Sequence, residues 1–190
     1  MNWNADAVNP FIALVLLALF AGCLCDMLLK HLLKQEEIPS AAVINALVTA
    51  AFLQLYGFST HALQCSLFAT ILLFASIYDL KTHTIPDYVH FLILMAGLIC
   101  FEPIPALLGA LLVPLPFFIA ALCKSGSIGG GDIKLMAACG FLLGVTAGYT
   151  ALLLGLLMAA LFNAAFNHEK KPVALAPYLA FGCLMACLPA

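Results

Sequence analysis

Gly126-Ser127-Ile128-Gly129-Gly130-Gly131-Asp132-Ile133-Lys134 is a short, polar, glycine-dense stretch between two long apolar runs. Three consecutive glycines open backbone conformations closed to other residues and let another segment approach closely. Asp132 stands where the next apolar run, Ile133 to Gly148, begins. An aspartate in that place has two readings. It caps a helix by accepting from a free amide at the helix start, or it is a reacting group, which requires a second acid. Such an acid stands at Asp79, closing an earlier apolar run in Tyr78-Asp79-Leu80-Lys81-Thr82-His83-Thr84-Ile85-Pro86-Asp87.

Outside this stretch, composition decides the class. Of the 190 residues 65% are hydrophobic and 8% charged, with a mean hydropathy of +1.15. A soluble domain carries roughly a quarter charged residues. About 20 apolar residues span a bilayer core, and on that measure the chain divides at roughly 9–29, 39–57, 61–79, 86–101, 104–123, 133–147, 149–166 and 174–189. The expected fold is therefore all-α, a polytopic membrane protein of about eight hydrophobic helices. One membrane-embedded domain over residues 1–190 is expected, with no room for a soluble domain and with the lipid bilayer as its surroundings. Met1–Pro10 holds Asp6 and no lysine or arginine, so the first run reads as a retained span and not a cleaved signal peptide. Ile38-Pro39, Gly57-Phe58-Ser59, Ile85-Pro86, Glu102-Pro103, the triple glycine and Lys171-Pro172 mark the turns. Pro114 and Pro116 are expected to kink the fifth segment, with neighbouring helices covering the carbonyls they free.

The lysines orient these segments. All seven basic residues are lysines: Lys30, Lys34, Lys81, Lys124, Lys134, Lys170 and Lys171. With the N-terminus outside, loops 30–38, 80–85, 124–132 and 167–173 become cytoplasmic, and every lysine falls in or beside one of them, as the positive-inside rule expects. The outer loops near 58–60, 102–103 and 148 carry none. Asp79 and Asp132 then share one level, the cytoplasmic end of the membrane. Acids at membrane depth are costly and usually face a bundle interior or a wet cavity. Two that meet can share a proton, leaving one carboxylate and one carboxylic acid near neutral pH. Such a pair activates a water and protonates a leaving amine, which is peptide hydrolysis. Spacing and topology leave open whether they meet.

Gly129-Gly130-Gly131-Asp132-Ile133-Lys134-Leu135 resembles the GxGDxKL signature of the type IV prepilin peptidases, a family of GxGD membrane aspartic proteases. Gly140 and Gly144 match the small residues of the helix that follows. Asp79 with Ile85-Pro86 resembles the family's other acidic motif, and Ala176-Pro177-Tyr178-Leu179-Ala180-Phe181-Gly182 is similar to its last block. The resemblance implies Asp79 and Asp132 as the catalytic pair. It implies a prepilin-like protein substrate with a basic leader and a hydrophobic helix, cut at the cytoplasmic face of the bacterial inner membrane. No metal or organic cofactor is implied, and nothing points to a nucleic-acid partner.

The chain departs from the family at two points. Asp87 stands where the family usually has asparagine, adding a third acid near the motif. Larger members carry a zinc-binding domain with paired CxxC motifs and N-methylate the trimmed pilin. The eight cysteines here include no CxxC, so the chain resembles the short, peptidase-only members. Cys23, Cys25, Cys183 and Cys187 lie in apolar runs and read as small hydrophobes. Lys81 and His83 read as solvated loop residues, and His31, His61, His90 and His168 as interfacial. Tyr78 is either a donor to a carboxylate or an interfacial tyrosine. Asp26, Glu36 and Glu37 either receive a basic leader or are solvated loop charges. Two other functions fit parts of the pattern: a presenilin-like or signal-peptide-peptidase-like protease cutting within a membrane helix, and a cation-coupled transporter or channel with Asp79 and Asp132 at a broken helix.

Overall fold

A computed structural model describes residues 5–34, 40–124, 128–166 and 173–188, with side chains from residue 11 onward. Glu36, Glu37, His168, Lys170, Lys171 and the Ile38-Pro39 and Lys171-Pro172 turns lie outside the described residues. The helices are α1 (Ala5–Leu33), α2 (Ala41–Tyr56), α3 (Thr60–Thr82), α4 (Asp87–Gly97), α5 (Pro103–Leu112), α6 (Leu115–Cys123), α7 (Gly130–Phe166) and α8 (Ala176–Ala186), and no strand occurs among the described residues. The all-α expectation holds. Four stretches, Phe11–Leu33, Thr60–Thr82, Pro103–Cys123 and Gly130–Ala165, are long and apolar enough to cross a membrane. Leu16, Leu17, Phe20, Met27, Leu107, Leu111, Leu122 and Leu153 are exposed, as suits an integral membrane protein whose outer surface meets lipid.

Two boundaries differ from the sequence reading. The expected fifth segment is two helices, α5 and α6, parted at Val113-Pro114. Pro116 has no N–H for the carbonyl of Leu112 four residues earlier, and the Tyr149 hydroxyl donates to that carbonyl at 2.8 Å. The carbonyl freed by the proline is thus covered from a neighbouring helix, as expected. The sixth and seventh segments are two helical arms within α7, divided not near 148 but at Gly144, at φ 76° and ψ −174°, a conformation that only glycine adopts without strain.

Gly144 does more than kink α7. A methyl built on either Gly140 or Gly148 would touch Val113, at 3.0 and 2.6 Å. Eight residues of straight helix rise about 12 Å, so both can reach Val113 only if the chain doubles back. Pro105 sits at the bend, 3.5 Å from the corresponding point on Gly144. The returning arm packs on α8, where Gly155 faces Tyr178 and Leu179, and Gly182 faces Ala151. Where Gly109 meets Gly140 and Gly182 meets Ala151, an added Cβ would lie 2.0–2.3 Å from a carbonyl oxygen. Backbones this close need small residues, the usual basis of helix association in membranes.

α3 is the central helix. It packs on α1, α2, α4 and α8, with buried residues from Ala62 to Asp79. Phe68 and Leu72 are fully buried at its middle. Hydrogen bonds fix which ends lie together. Tyr56 at the end of α2 donates to the Cys187 carbonyl past the end of α8, whereas Asp79 near the end of α3 reaches the start of α8. Asp26 accepts from the Ala41 N–H at 2.8 Å and the Ser40 hydroxyl at 3.1 Å, capping α2. Asp26 is therefore a helix cap, and neither of its sequence readings anticipated this. The helix ends bearing Lys30, Lys34, Lys81, Lys124 and Lys134 all fall at the end of the bundle that holds Asp79 and Asp132.

The Tyr149–Leu112 bond is testable in detergent micelles. Tyr149→Phe leaves the Leu112 carbonyl unpaired and is expected to cost about 1–2 kcal/mol of unfolding free energy. Pro116→Ala restores an N–H to that carbonyl, so in its background Tyr149→Phe should cost under about 0.5 kcal/mol by double-mutant cycle. Equal costs in both backgrounds would refute the assignment.

Candidate active site

Two helix ends bring the acids together. Asp79 lies in the last turn of α3 and Asp132 in the first turn of α7, and both line a cavity of about 310 Å³. Its other walls are His83, Thr84 and Ile85 from the loop after α3, and Gly129, Gly130 and Gly131.

Asp79 is fixed by backbone. It is only 5% exposed, and its Oδ2 accepts from the Ala176 N–H at 3.1 Å. This amide at the start of α8 has no partner within its own helix, and the positive end of the helix dipole favours the carboxylate. The Ala176–Gly182 block thus supplies a donor to Asp79, a role not evident from its residues. The carbonyl of Asp79 accepts from the His83 N–H at 2.8 Å, and His83 closes α3 in the left-handed conformation, φ 51°.

Asp132 is the third residue of α7 and not its N-cap, so the helix-cap reading of this acid is not met. Its N–H donates to the Gly129 carbonyl at 3.1 Å, and the Ile133 N–H donates to the same carbonyl at 3.3 Å. None of Gly129–Gly131 has positive φ, and only Gly129 serves close approach. A Cβ on Gly129 would lie 3.1 Å from Asp132 Oδ2, one on Gly131 would make ordinary contact with Ile85 at 3.4 Å, and one on Gly130 meets nothing.

Asp87 is placed elsewhere. It opens α4, is exposed, does not line the cavity, and pairs with Lys134 Nζ at 2.7 Å. That bond carries Lys134 to α4. Tyr78 packs its ring on Phe74 with centroids 6.1 Å apart, while Lys81 is exposed. His90 is not interfacial: it is 8% exposed, with Nε2 3.2 Å from the Gly131 carbonyl. His61 lies against Tyr56 at the other end of the bundle. The described cysteines are free thiols. Among the described residues no three His, Cys, Asp or Glu side chains converge as a metal site requires.

Comparison with known proteins accords with this geometry. The protein named prepilin leader peptidase/N-methyltransferase of Bacillus subtilis (strain 168) is 30% identical over 161 residues, covering 79% of this chain and 65% of that protein. The chain thus matches less than two thirds of its relative's length. No solved structure matches. The type IV leader peptidase family matches residues 66–164, just over half of the chain and including both cavity aspartates. By that match, the chain belongs to the type IV leader peptidase family.

Proposed function

We propose that this chain is a membrane aspartic endopeptidase that removes the short basic leader of prepilin-like precursors, with Asp79 and Asp132 as its catalytic pair. The observation that carries the reading is that two acids from separate helices face one cavity, one of them held by a backbone amide of a third helix. The pair shares one proton. Its ionised member takes a proton from water as the water oxygen attacks the scissile carbonyl. Its protonated member delivers a proton to the leaving nitrogen as the C–N bond breaks, and the pair ends with one proton as it began. Of the two activities in the relative's name, this site accounts for the peptidase. The helix ends rich in lysine support a cytoplasmic placement of the site in a bacterial inner membrane, with the N-terminus outside. Family membership weighs against the transporter and presenilin-like readings. A single membrane-embedded peptidase domain over residues 1–190 accounts for all of this.

Leader cleavage of a precursor carrying a basic leader and a hydrophobic helix tests the pair. Asp79→Asn and Asp132→Asn are each expected to lower the rate by about 10²–10⁴-fold, with folded, membrane-inserted protein retained. Asp87→Asn loses an exposed ion pair outside the cavity, so activity should stay within about fivefold of wild type. An inactive Asp87→Asn beside an active Asp79→Asn would move the second acid to Asp87.

The glycine loop separates by position. Gly129→Ala crowds the Asp132 carboxylate and should lower kcat about tenfold or more, whereas Gly130→Ala enters open space and should change it by less than about twofold. Equal effects would show that the loop matters for something other than carboxylate placement. Cysteine-accessibility labelling should place residues 81–84 on the cytoplasmic side and Glu102 outside. Labelling of 81–84 from the exterior would refute the orientation.

A further inference from the structure

We propose that His90 is a positioning residue that fixes the first turn of α7, and through it Asp132, by holding the Gly131 carbonyl. The need follows from the loop. Consecutive glycines lose more conformational freedom on ordering than any other residues, so the entry into α7 is the least self-supporting part of the cavity wall. A catalytic group must nevertheless stay within about 0.5 Å of its productive place. Gly131 directly precedes Asp132, and its carbonyl lies 3.2 Å from His90 Nε2. A carbonyl only accepts, so Nε2 carries the proton and donates.

The rest of the imidazole's surroundings show why it keeps that orientation. The His90 side chain is nine-tenths buried, on the face of α4 that carries the buried Val89 and Ile93. Its Nδ1 has no hydrogen-bond partner and stands 3.8 Å from Asp87 Oδ1. The same Asp87 oxygen takes Lys134 at 2.7 Å. The first turn of α7 is therefore gripped by α4 at two points on either side of Asp132: the Gly131 carbonyl by His90, and Lys134 by Asp87. Asp87→Asn would release only the exposed grip, whereas loss of His90 would release the buried one.

The activity readout rests on the peptidase reading, while the geometry does not, so two measurements are paired. One is leader cleavage in detergent, resolved into kcat and KM. The other is amide hydrogen exchange over residues 130–136. Three proteins are compared: wild type, His90→Leu, which fills the space without a donor, and His90→Gln, whose amide nitrogen reaches as far as Nε2. His90→Leu should lower kcat about tenfold to a hundredfold with KM within about twofold, and speed exchange over 130–136 about tenfold. His90→Gln should recover both to within about threefold of wild type. Wild-type kcat and exchange in His90→Leu would overturn the proposal. So would equal losses in both variants, since the ring would then only fill the core. If wild type cleaves no leader but exchange separates the variants as described, the hold on Gly131 is supported and the peptidase reading falls.

Discussion

A helix that begins inside an apolar molecule has amides that water cannot reach, and a carboxylate buried there has a charge that nothing solvates. In this protein the two meet. Asp79, near the end of α3, accepts from the Ala176 amide at the start of α8. Much else depends on that contact. It sets the level of α8 against the central helix. α8 in turn carries Gly182 and the Leu179 backbone against Ala151 and Gly155 on the returning arm of α7. That arm is joined through Gly144 to the one that carries Asp132 in its first turn. The second carboxylate thus reaches the first through a chain of backbone contacts, each of which tolerates little displacement.

The same constraint recurs throughout the bundle. With so few polar side chains, most of those inside are spent on another helix's backbone. Asp26 takes the Ala41 amide, Tyr149 covers the carbonyl left free by Pro116, and Gln64 donates to the Ala96 carbonyl at 3.2 Å. Asn45 donates to the Ala18 carbonyl at 2.9 Å while accepting from Thr70 at 2.9 Å, linking α1, α2 and α3. An unsatisfied backbone group in apolar surroundings costs about 1–3 kcal/mol, so these bonds specify which helix ends come together. Greasy surfaces alone would allow many arrangements of the same helices.

This distinction explains what was legible in the sequence. The apolar segments and the proline break follow from local composition, and the structure has helices where these place them. The reversal between the sixth and seventh segments was legible, but its place was not: a turn made by one residue leaves no loop, and it falls at Gly144, four residues before the expected turn near 148. Asp26 as a cap and the Ala176 amide as donor were hidden for another reason. Each bond joins residues far apart in the chain, and nothing in either segment names its partner. His90 was misread because a histidine near a span end is usually interfacial; only the fold shows that it points inward at Gly131. The two cavity acids were legible through the company they keep in their motifs.

Asp79 therefore has a structural bond as well as a place in the cavity, and this bears on how it can work. A carboxylate has two oxygens and about four acceptor positions. The Ala176 amide uses one of these at Asp79 and leaves others free for water. Because that donor is a backbone N–H, it cannot deprotonate or swing away, so the side chain keeps its orientation whether or not it holds a proton. In the proposed hydrolysis, where a pair exchanges a proton, that property is useful. A lysine partner would not provide it: its ammonium group sits on a flexible stem and would bias the carboxylate toward ionisation throughout. Lys134, two residues past Asp132, is instead bonded to Asp87 outside the cavity, so that cation is engaged away from the two cavity acids.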